Sequence, residues 1–349
     1  MLPATPAELL ARARAEFRLG LPVAMGHAVM AAVETVPPER LAAMRAAGPL
    51  VLAVSGRRAE TLKARAYDGD VARIAVPDDV DAAWLRAVAD PADDLRAPMK
   101  GPLRTLREGD AAPWRAGVAL AKAAWLLPAV IGVEAEAPAG VTRLSPATVP
   151  GDPVRPVAPV ASARLPMAAH AKGRVHVHRE PGTGEEHYAV EIGRVDRAAP
   201  VLVRLHSACF TGDVLGSLKC DCGPQLHAAM DAMAAAGGGV LLYLNQEGRG
   251  IGLANKMRAY DLQDQGFDTV EANHRLGFED DERDFRLGAA ILDRLGIGAV
   301  RLMTNNPRKI AMMTAQGIEV AERVPLHVGL TPQNAAYLDV KRVKSGHLE

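Results

Sequence analysis

The chain has 349 residues, more than one hydrophobic core ordinarily fills, and 49% of them are apolar, so two folded domains are expected rather than a disordered chain. Lys and Arg number 41 and Asp and Glu number 41, which excludes the general attraction shown by nucleic-acid and membrane-surface binders and leaves any anion binding to local groups. No apolar run approaches the roughly 18 residues of a membrane span, and MLPATPAELLARARAEF carries charge where a secretory signal is apolar, so a cytoplasmic protein is expected.

Along the first part, Ala7–Leu19 has helical spacing, Pro22–Met25 and Pro49–Val54 read as buried strands, and Pro38–Ala47 reads as a helix opened by proline. From Ala137 to about Ala171 the periodicity fades into a proline-spaced stretch typical of an extended connection, and the boundary is placed near Val157. Beyond it, Arg174–His178 and His187–Ile192 alternate as strands about Pro181-Gly182-Thr183-Gly184, and Pro200–Leu205 is a strand that runs into the cysteines. Pro224–Ala236 is helical, Val240–Leu244 is an apolar strand, and Asn245–Gly250 is a glycine-rich loop. Helices Ile251–Gln265, Phe285–Leu295 and Pro307–Gln316 follow, with a strand at Val300–Met303. The expected class is α/β (α+β) in two domains, each a mixed sheet with packed helices: 1–140, a linker at 141–156, and 157–349.

All three cysteines fall within one short stretch: Cys209, ten residues, then Cys220-Asp221-Cys222. An odd, clustered set argues against a disulfide framework. Three thiolates suit a tetrahedral zinc whose fourth position is left for water, the arrangement that supplies hydroxide near neutral pH. Spacing alone leaves two alternatives: a closed structural zinc completed by His206 or His227, or three buried thiols. Gln246-Glu247-Gly248-Arg249-Gly250 offers flexible backbone donors, an acceptor and a guanidinium suited to a purine edge or a phosphate, or else it is an ordinary strand-to-helix turn. Thr304-Asn305-Asn306-Pro307-Arg308-Lys309 brings free helix N–H groups and a lysine to one point, which suits an anion and equally suits a capped helix. Arg204 can add charge there. The run Glu279–Asp284 reads either as a solvated helix start or, if extended, as a site in which Asp281 and Arg283 point the same way. By itself Tyr260 reads as a core aromatic.

The segments HSACFTGDVLGSLKCDCGPQL, YLNQEGRGIGLANKMRAYDLQDQGFDTVEAN, LGFEDDERDF, LMTNNPRKI and YLDVKRVKSGHL together resemble GTP cyclohydrolase II, from about Val157 to the C-terminus. The resemblance implies hydrolysis of GTP to formate, diphosphate and 2,5-diamino-6-(5-phospho-ribosylamino)pyrimidin-4(3H)-one, the opening step of riboflavin biosynthesis. It also implies one zinc ion per subunit, Mg²⁺ with the triphosphate, and a homodimer. By motif it assigns zinc to Cys209, Cys220 and Cys222. GTP contacts fall to Arg204, Leu205, His206, Ser207, Ala208, Gln225, Glu247, Gly248, Arg249, Thr269, Thr304 and Lys309. Asp281 matches the family's proton acceptor, Tyr260 the tyrosine near the purine ring, and Arg283 a nucleophile toward the α-phosphorus or, as its protonated guanidinium favours, a charge stabiliser. Alternatives are a zinc-stabilised GTP sensor without catalysis, and a paralogue working in pyrimidine catabolism. No nucleic-acid or membrane partner is expected.

Two positions depart from the family pattern: Ala208 stands where Glu is usual and Asn245 where Arg is usual, which predicts altered substrate affinity. In the first part, ELLARARAEFRLGLPVAM, TVPPERLAAMRAAGPLVLAVSGRRAETL and AGVALAKAAWLLPAVIGVEAE resemble 3,4-dihydroxy-2-butanone-4-phosphate synthase. The acidic loop that this enzyme uses for its metal is replaced by Met25-Gly26-His27-Ala28, so a degenerate, non-catalytic domain is expected.

Overall fold

The computed structural model describes residues 3–95, 97–149 and 157–334. Chain contacts divide it into two compact units, Met1–Pro153 with Ile251–Glu282, and Val154–Gly250 with Arg283–Glu349. Among the described residues no helix is long and apolar enough to cross a membrane.

Unit 1 is built from α1 (Pro6–Arg18), β1 (Val23–Met25), β2 (Ala28–Ala32), α2 (Pro38–Ala47), β3 (Leu50–Ser55), α3 (Gly56–Thr61), β4 (Val71–Ala75), α4 (Ala82–Ala89), α5 (Ala112–Ala123), β5 (Ala129–Glu134) and β6 (Arg143–Leu144). Its mixed sheet has the order β4-β3-β5-β2-β1-β6. Every residue of β2 and β3 is buried because both faces are covered. Leu50, Leu52 and Val54 point into one core, while Val51 and Ala53 point into the other with Trp114 and Phe17 from the helices. These strands therefore read as unbroken apolar runs rather than alternating ones.

Unit 2 opens with an antiparallel meander, β7 (Ala158–Arg164), β8 (Gly173–Arg179) and β9 (Glu186–Gly193), then β10 (Val201–Ser207), α6 (Cys222–Ala235) and β11 (Gly238–Leu244). Next in the chain, α7 (Leu253–Asp264) and α8 (Thr269–Leu276) pack in unit 1. Unit 2 then resumes with α9 (Arg286–Arg294), β12 (Ala299–Met303), α10 (Pro307–Ala315) and β13 (Glu319–Val324). Its sheet has the order β13-β12-β10-β11-β9-β8-β7, with β10 parallel to both β11 and β12.

The extended reading of the proline-spaced stretch held no strand, yet β7 pairs there with β8. All seven of its residues are exposed, so this edge strand has no buried face to print an alternating pattern. Of the predicted linker 141–156, the first part holds β6, which pairs with β1, and 150–156 lie outside the described residues. So does the predicted motif YLDVKRVKSGHL.

Candidate functional site

Three loops that carry predicted site residues leave the C-terminal ends of the adjacent parallel strands β10, β11 and β12, where open α/β sheets place their ligands. After β10 the chain makes one π-helical turn, Phe210–Val214, starting at Cys209. The other two cysteines sit where the chain enters α6, so Cys209, Cys220 and Cys222 bring their sulfurs within 4.8 Å of one another. The Sγ atoms of Cys209 and Cys220 are 3.7 Å apart, about the edge of a tetrahedron with 2.3 Å metal–sulfur bonds. Gly212 makes the room, for a Cβ there would lie 2.8 Å from Cys220 Sγ and 3.1 Å from Cys209 Sγ. Hydrogen bonding to Cys209 and Cys220, then burial, push the Cys222 thiol well up; Cys220 is raised too, chiefly by Cys209. Three crowded sulfurs cannot all ionise without a cation among them, which fits a soft divalent metal.

Neither histidine of the alternative closed-site reading joins them. Among the described residues no histidine or carboxylate lies within the sulfur group. His206 Nε2 is 3.1 Å from both oxygens of Asp213, and His227 Nδ1 contacts the Gly223 carbonyl at 2.9 Å. Sequence reading missed Asp213, whose buried carboxylate also accepts the Cys209 N–H (3.0 Å) and the Tyr243 hydroxyl (2.9 Å). His206 stacks on that tyrosine with ring centres 5.5 Å apart. Burial, then Asp213, push the Tyr243 hydroxyl up, so it stays a donor. The signal available was Phe210-Thr211-Gly212-Asp213 directly after the first cysteine.

After β11, Gly248, Arg249 and Gly250 all have positive φ (63°, 60° and 90°), a run that bends the loop sharply. Glu247 closes this loop onto the cysteine turn, its carboxylate accepting the Phe210 N–H (2.6 Å) and the Gly248 N–H (2.9 Å). Gln246 donates to the Asp284 carbonyl (2.8 Å), while its buried Oε1 has no partner. Asn245 donates its backbone N–H to His187 Nδ1 (3.0 Å), and its side chain donates to the Glu186 carbonyl, so this departure from the family pattern anchors the loop to β9. Ala208 continues the β10–β11 pairing through its N–H to Leu244 (2.7 Å). On β10 the buried Arg204 donates to Met303 and to Gln225, and its Nε has no partner. Burial lowers its pKa to about 10, leaving it cationic at neutral pH.

Beyond β12, Asn306 caps α10 by accepting the Arg308 N–H (2.9 Å), and Thr304 Oγ1 accepts the Asn306 N–H. Lys309, on the first turn, donates to the Leu205 carbonyl at 2.8 Å. Its ammonium lies 5.0 Å from the Phe285 ring centre, and Arg283 Cζ lies 4.8 Å from the same ring. Arg283 also donates to Ser207 (3.3 Å). Phe285, another residue missed from sequence, thus gathers two cations at this end of the sheet. Unit 2 therefore brings together the cysteines, residues 204–208, Gln225, residues 247–249, Arg283, Thr304 and Lys309.

Tyr260, Thr269 and Asp281 belong to unit 1. Tyr260 is half-buried on α7 with Lys256 Nζ 5.7 Å from its ring centre, and Thr269 starts α8, its hydroxyl accepting from Gln263. Asp281 lies half-buried in the irregular segment after α8.

A family model of GTP cyclohydrolase II matches residues 158–325. The GTP cyclohydrolase-2 of Azotobacter vinelandii is 57% identical over 189 residues, 54% of this chain and 90% of that protein. That of Pseudomonas syringae pv. tomato is 56% identical over 193 residues, 55% of this chain and 94% of that protein. The Cronobacter sakazakii protein is 59% identical over 169 residues, 48% of this chain and 86% of that protein. A two-domain 3,4-dihydroxy-2-butanone 4-phosphate synthase of A. baumannii aligns over 91% of this chain and 99% of its own. Its identity is 15% and its TM-score 0.30, too slight a likeness to bear on this chain.

Proposed function

Since the chain belongs to the GTP cyclohydrolase II family, we infer that it hydrolyses GTP to formate, diphosphate and a diaminopyrimidine ribosylamine phosphate, in riboflavin biosynthesis. The observation that carries this reading is the group of three sulfurs around Gly212 with no fourth protein ligand among the described residues. Cys209, Cys220 and Cys222 would hold a zinc ion, which when bound supplies Lewis acidity and a water acidic enough to attack an imidazole carbon. Asp213 fixes Cys209 through its backbone N–H. Gln246 Oε1, buried and unpartnered, is an acceptor suited to guanine's donors, and Arg204 Nε is a donor for a phosphate or carbonyl oxygen. Lys309, the α10 N-terminus and Arg249 offer positive charge to the triphosphate, whose Mg²⁺ would offset the charge of the departing diphosphate. By family motif alone, Asp281 would accept a proton, Arg283 would stabilise charge on the phosphorus side, and Tyr260 is assigned to the purine.

Residues 157–349 form the cyclohydrolase domain in this proposal, and residues 1–140 form a domain that has lost synthase chemistry. The loop where an acidic metal site is expected has shrunk to Gly26-His27 between β1 and β2, whose pairing closes at Met25 and Ala28. A homodimer belongs to the same reading on the family resemblance alone, and a cytoplasmic location on the charged start and the lack of a membrane-length apolar run in the sequence.

The test is to incubate the zinc-loaded chain with GTP and Mg²⁺ and follow formate, diphosphate and the absorbance of the pyrimidine. All three are expected in equal amounts, with no consumption of ribulose 5-phosphate. Absence of GTP turnover overturns the cyclohydrolase assignment, and turnover of the pentose phosphate overturns the degenerate-domain assignment.

A further inference from the structure

Unit 1 joins two stretches far apart in sequence, the N-terminal residues and the segment Ile251–Glu282 that carries Tyr260, Thr269 and Asp281. The apolar face of this segment completes an N-terminal core: Ile251, Ala259, Leu262, Leu276 and Phe278 are buried in one cluster with Val54, Leu85 and Leu127. Glycines mark close approach at both ends. A Cβ on Gly252 would lie 3.1 Å from Trp125 Cβ, and one on Gly277, which ends α8 with φ 91°, would lie 2.6 Å from Ser55 Oγ. Polar contacts follow the same seam. Arg258 pairs with Glu34 and Asp90, each at 3.0 Å, and Asn255 donates to the Trp125 carbonyl at 3.0 Å.

The seam ends at the acidic run. Glu279, Asp280, Asp281, Glu282 and Asp284 crowd five carboxylates into six positions with one internal cation, Arg283, so mutual repulsion opposes a fixed shape. Cations from the N-terminal part oppose that repulsion. Lys122 on α5 holds Glu282 Oε1 at 2.6 Å, and this same oxygen accepts the Glu279 N–H at 2.9 Å, closing the turn in which Asp281 sits. Arg57 on α3 adds two bonds to Glu279, at 3.0 and 2.9 Å. The Lys122 and Glu282 side chains are 22% and 23% exposed, against 36% and 53% for Arg57 and Glu279, so solvent screens the lysine pair less. Both cations lie outside the stretch matched to the cyclohydrolase family.

We propose that the N-terminal part serves the ring-opening reaction as a clamp that shapes the acidic turn, with Lys122 the positioning residue for Asp281 through Glu282. This rests on the assignment of Asp281 as proton acceptor. The proposal is tested in the full-length, metal-loaded chain with Lys122→Met, Glu282→Gln, both together, and Lys122→Arg. Lys122→Met and Glu282→Gln are each expected to lower kcat about tenfold, because small displacements of a reacting group cost rate steeply, while KM for GTP stays within about twofold. Zinc content stays unchanged, Lys122→Arg regains most of the rate, and the double variant is no slower than either single one. Backbone amides of residues 279–284 exchange faster in Lys122→Met than in the unaltered chain.

A kcat within about twofold of the unaltered chain for both single variants, a rise in kcat, or effects that multiply in the double variant overturns the clamp. If the unaltered chain opens no GTP, the cyclohydrolase assignment fails instead and amide exchange decides the clamp. Unchanged protection of 279–284 then overturns it, and faster exchange supports it.

Discussion

Single side chains at this site act mainly by holding other groups, and Asp213 illustrates how. Its two oxygens take a histidine, a tyrosine hydroxyl and the Cys209 N–H, so one carboxylate sets the start of the cysteine turn. The cysteines invite the plainest test. Cys220→Ser replaces a soft sulfur with a hard, weakly acidic hydroxyl, so zinc binding and ring opening are expected to fall together, each by at least about 100-fold. Metal analysis beside formate release checks this, and activity that survives metal loss would mark the ion as structural. The cysteine group was legible in the sequence because its three members are clustered along the chain. Asp213 and Phe285 were not, because their importance lies in what they touch: an acid and an aromatic have no signature until the fold supplies their partners.

Helices and strands place these side chains, and three of the site's loops depend on where strands stop. Lys309 reaches the Leu205 carbonyl because α10 begins immediately after β12, beside β10. That start is set by Asn306, whose side chain accepts the Arg308 N–H, with Pro307 in the first turn. Asn306→Ala removes the cap and is expected to cost about 1 kcal/mol in denaturant unfolding and to raise KM for GTP more than it lowers kcat. An unchanged KM would separate the helix start from triphosphate binding. Most predicted elements recur within a few residues of their expected bounds, as at α2, β11 and α10. The strand β7 was missed because both its faces are exposed, and α8 because its eight residues span barely two turns.

At the scale of the whole chain, the separation of the N-terminal part from the rest in sequence is bridged inside unit 1. Asp94 joins several of its segments: it pairs with Arg58 of α3 at 2.6 Å, with Lys100, and more distantly with Arg275 of α8 at 3.9 Å. Burial alone would raise this carboxyl, but Arg58 and Lys100 outweigh burial and hold it below the usual carboxylate range. The native pKa thus lies below the unfolded one. The stabilisation is complete above about pH 4 and is lost as the pH falls through the depressed native value. Asp94→Asn leaves Arg58, only 1% exposed, without its carboxylate and is expected to cost about 3 kcal/mol at neutral pH. It should also flatten the acid side of the stability profile, and urea titrations between about pH 2 and 7 check both effects. A parallel acid limb in the variant would remove Asp94 from the causes of acid unfolding.

By itself the sequence determined that the chain is neutral and apolar enough for two mixed α/β layers, and that three cysteines converge. It also determined that glycine-rich, acidic and basic groups fall in the loops after three strands, and left their ligand to the family resemblance. These are properties of composition and of spacing over a few turns, which the backbone's fixed periods translate directly into faces and ends. The tertiary structure alone decided that Asp213 orders the cysteine turn, and that no histidine completes the sulfur group among the described residues. It alone decided that α7, α8 and the acidic turn are packed and charge-balanced by residues more than 100 positions earlier. Such pairings join groups brought near only by folding, where burial and charge compensation act through space and leave no period along the chain.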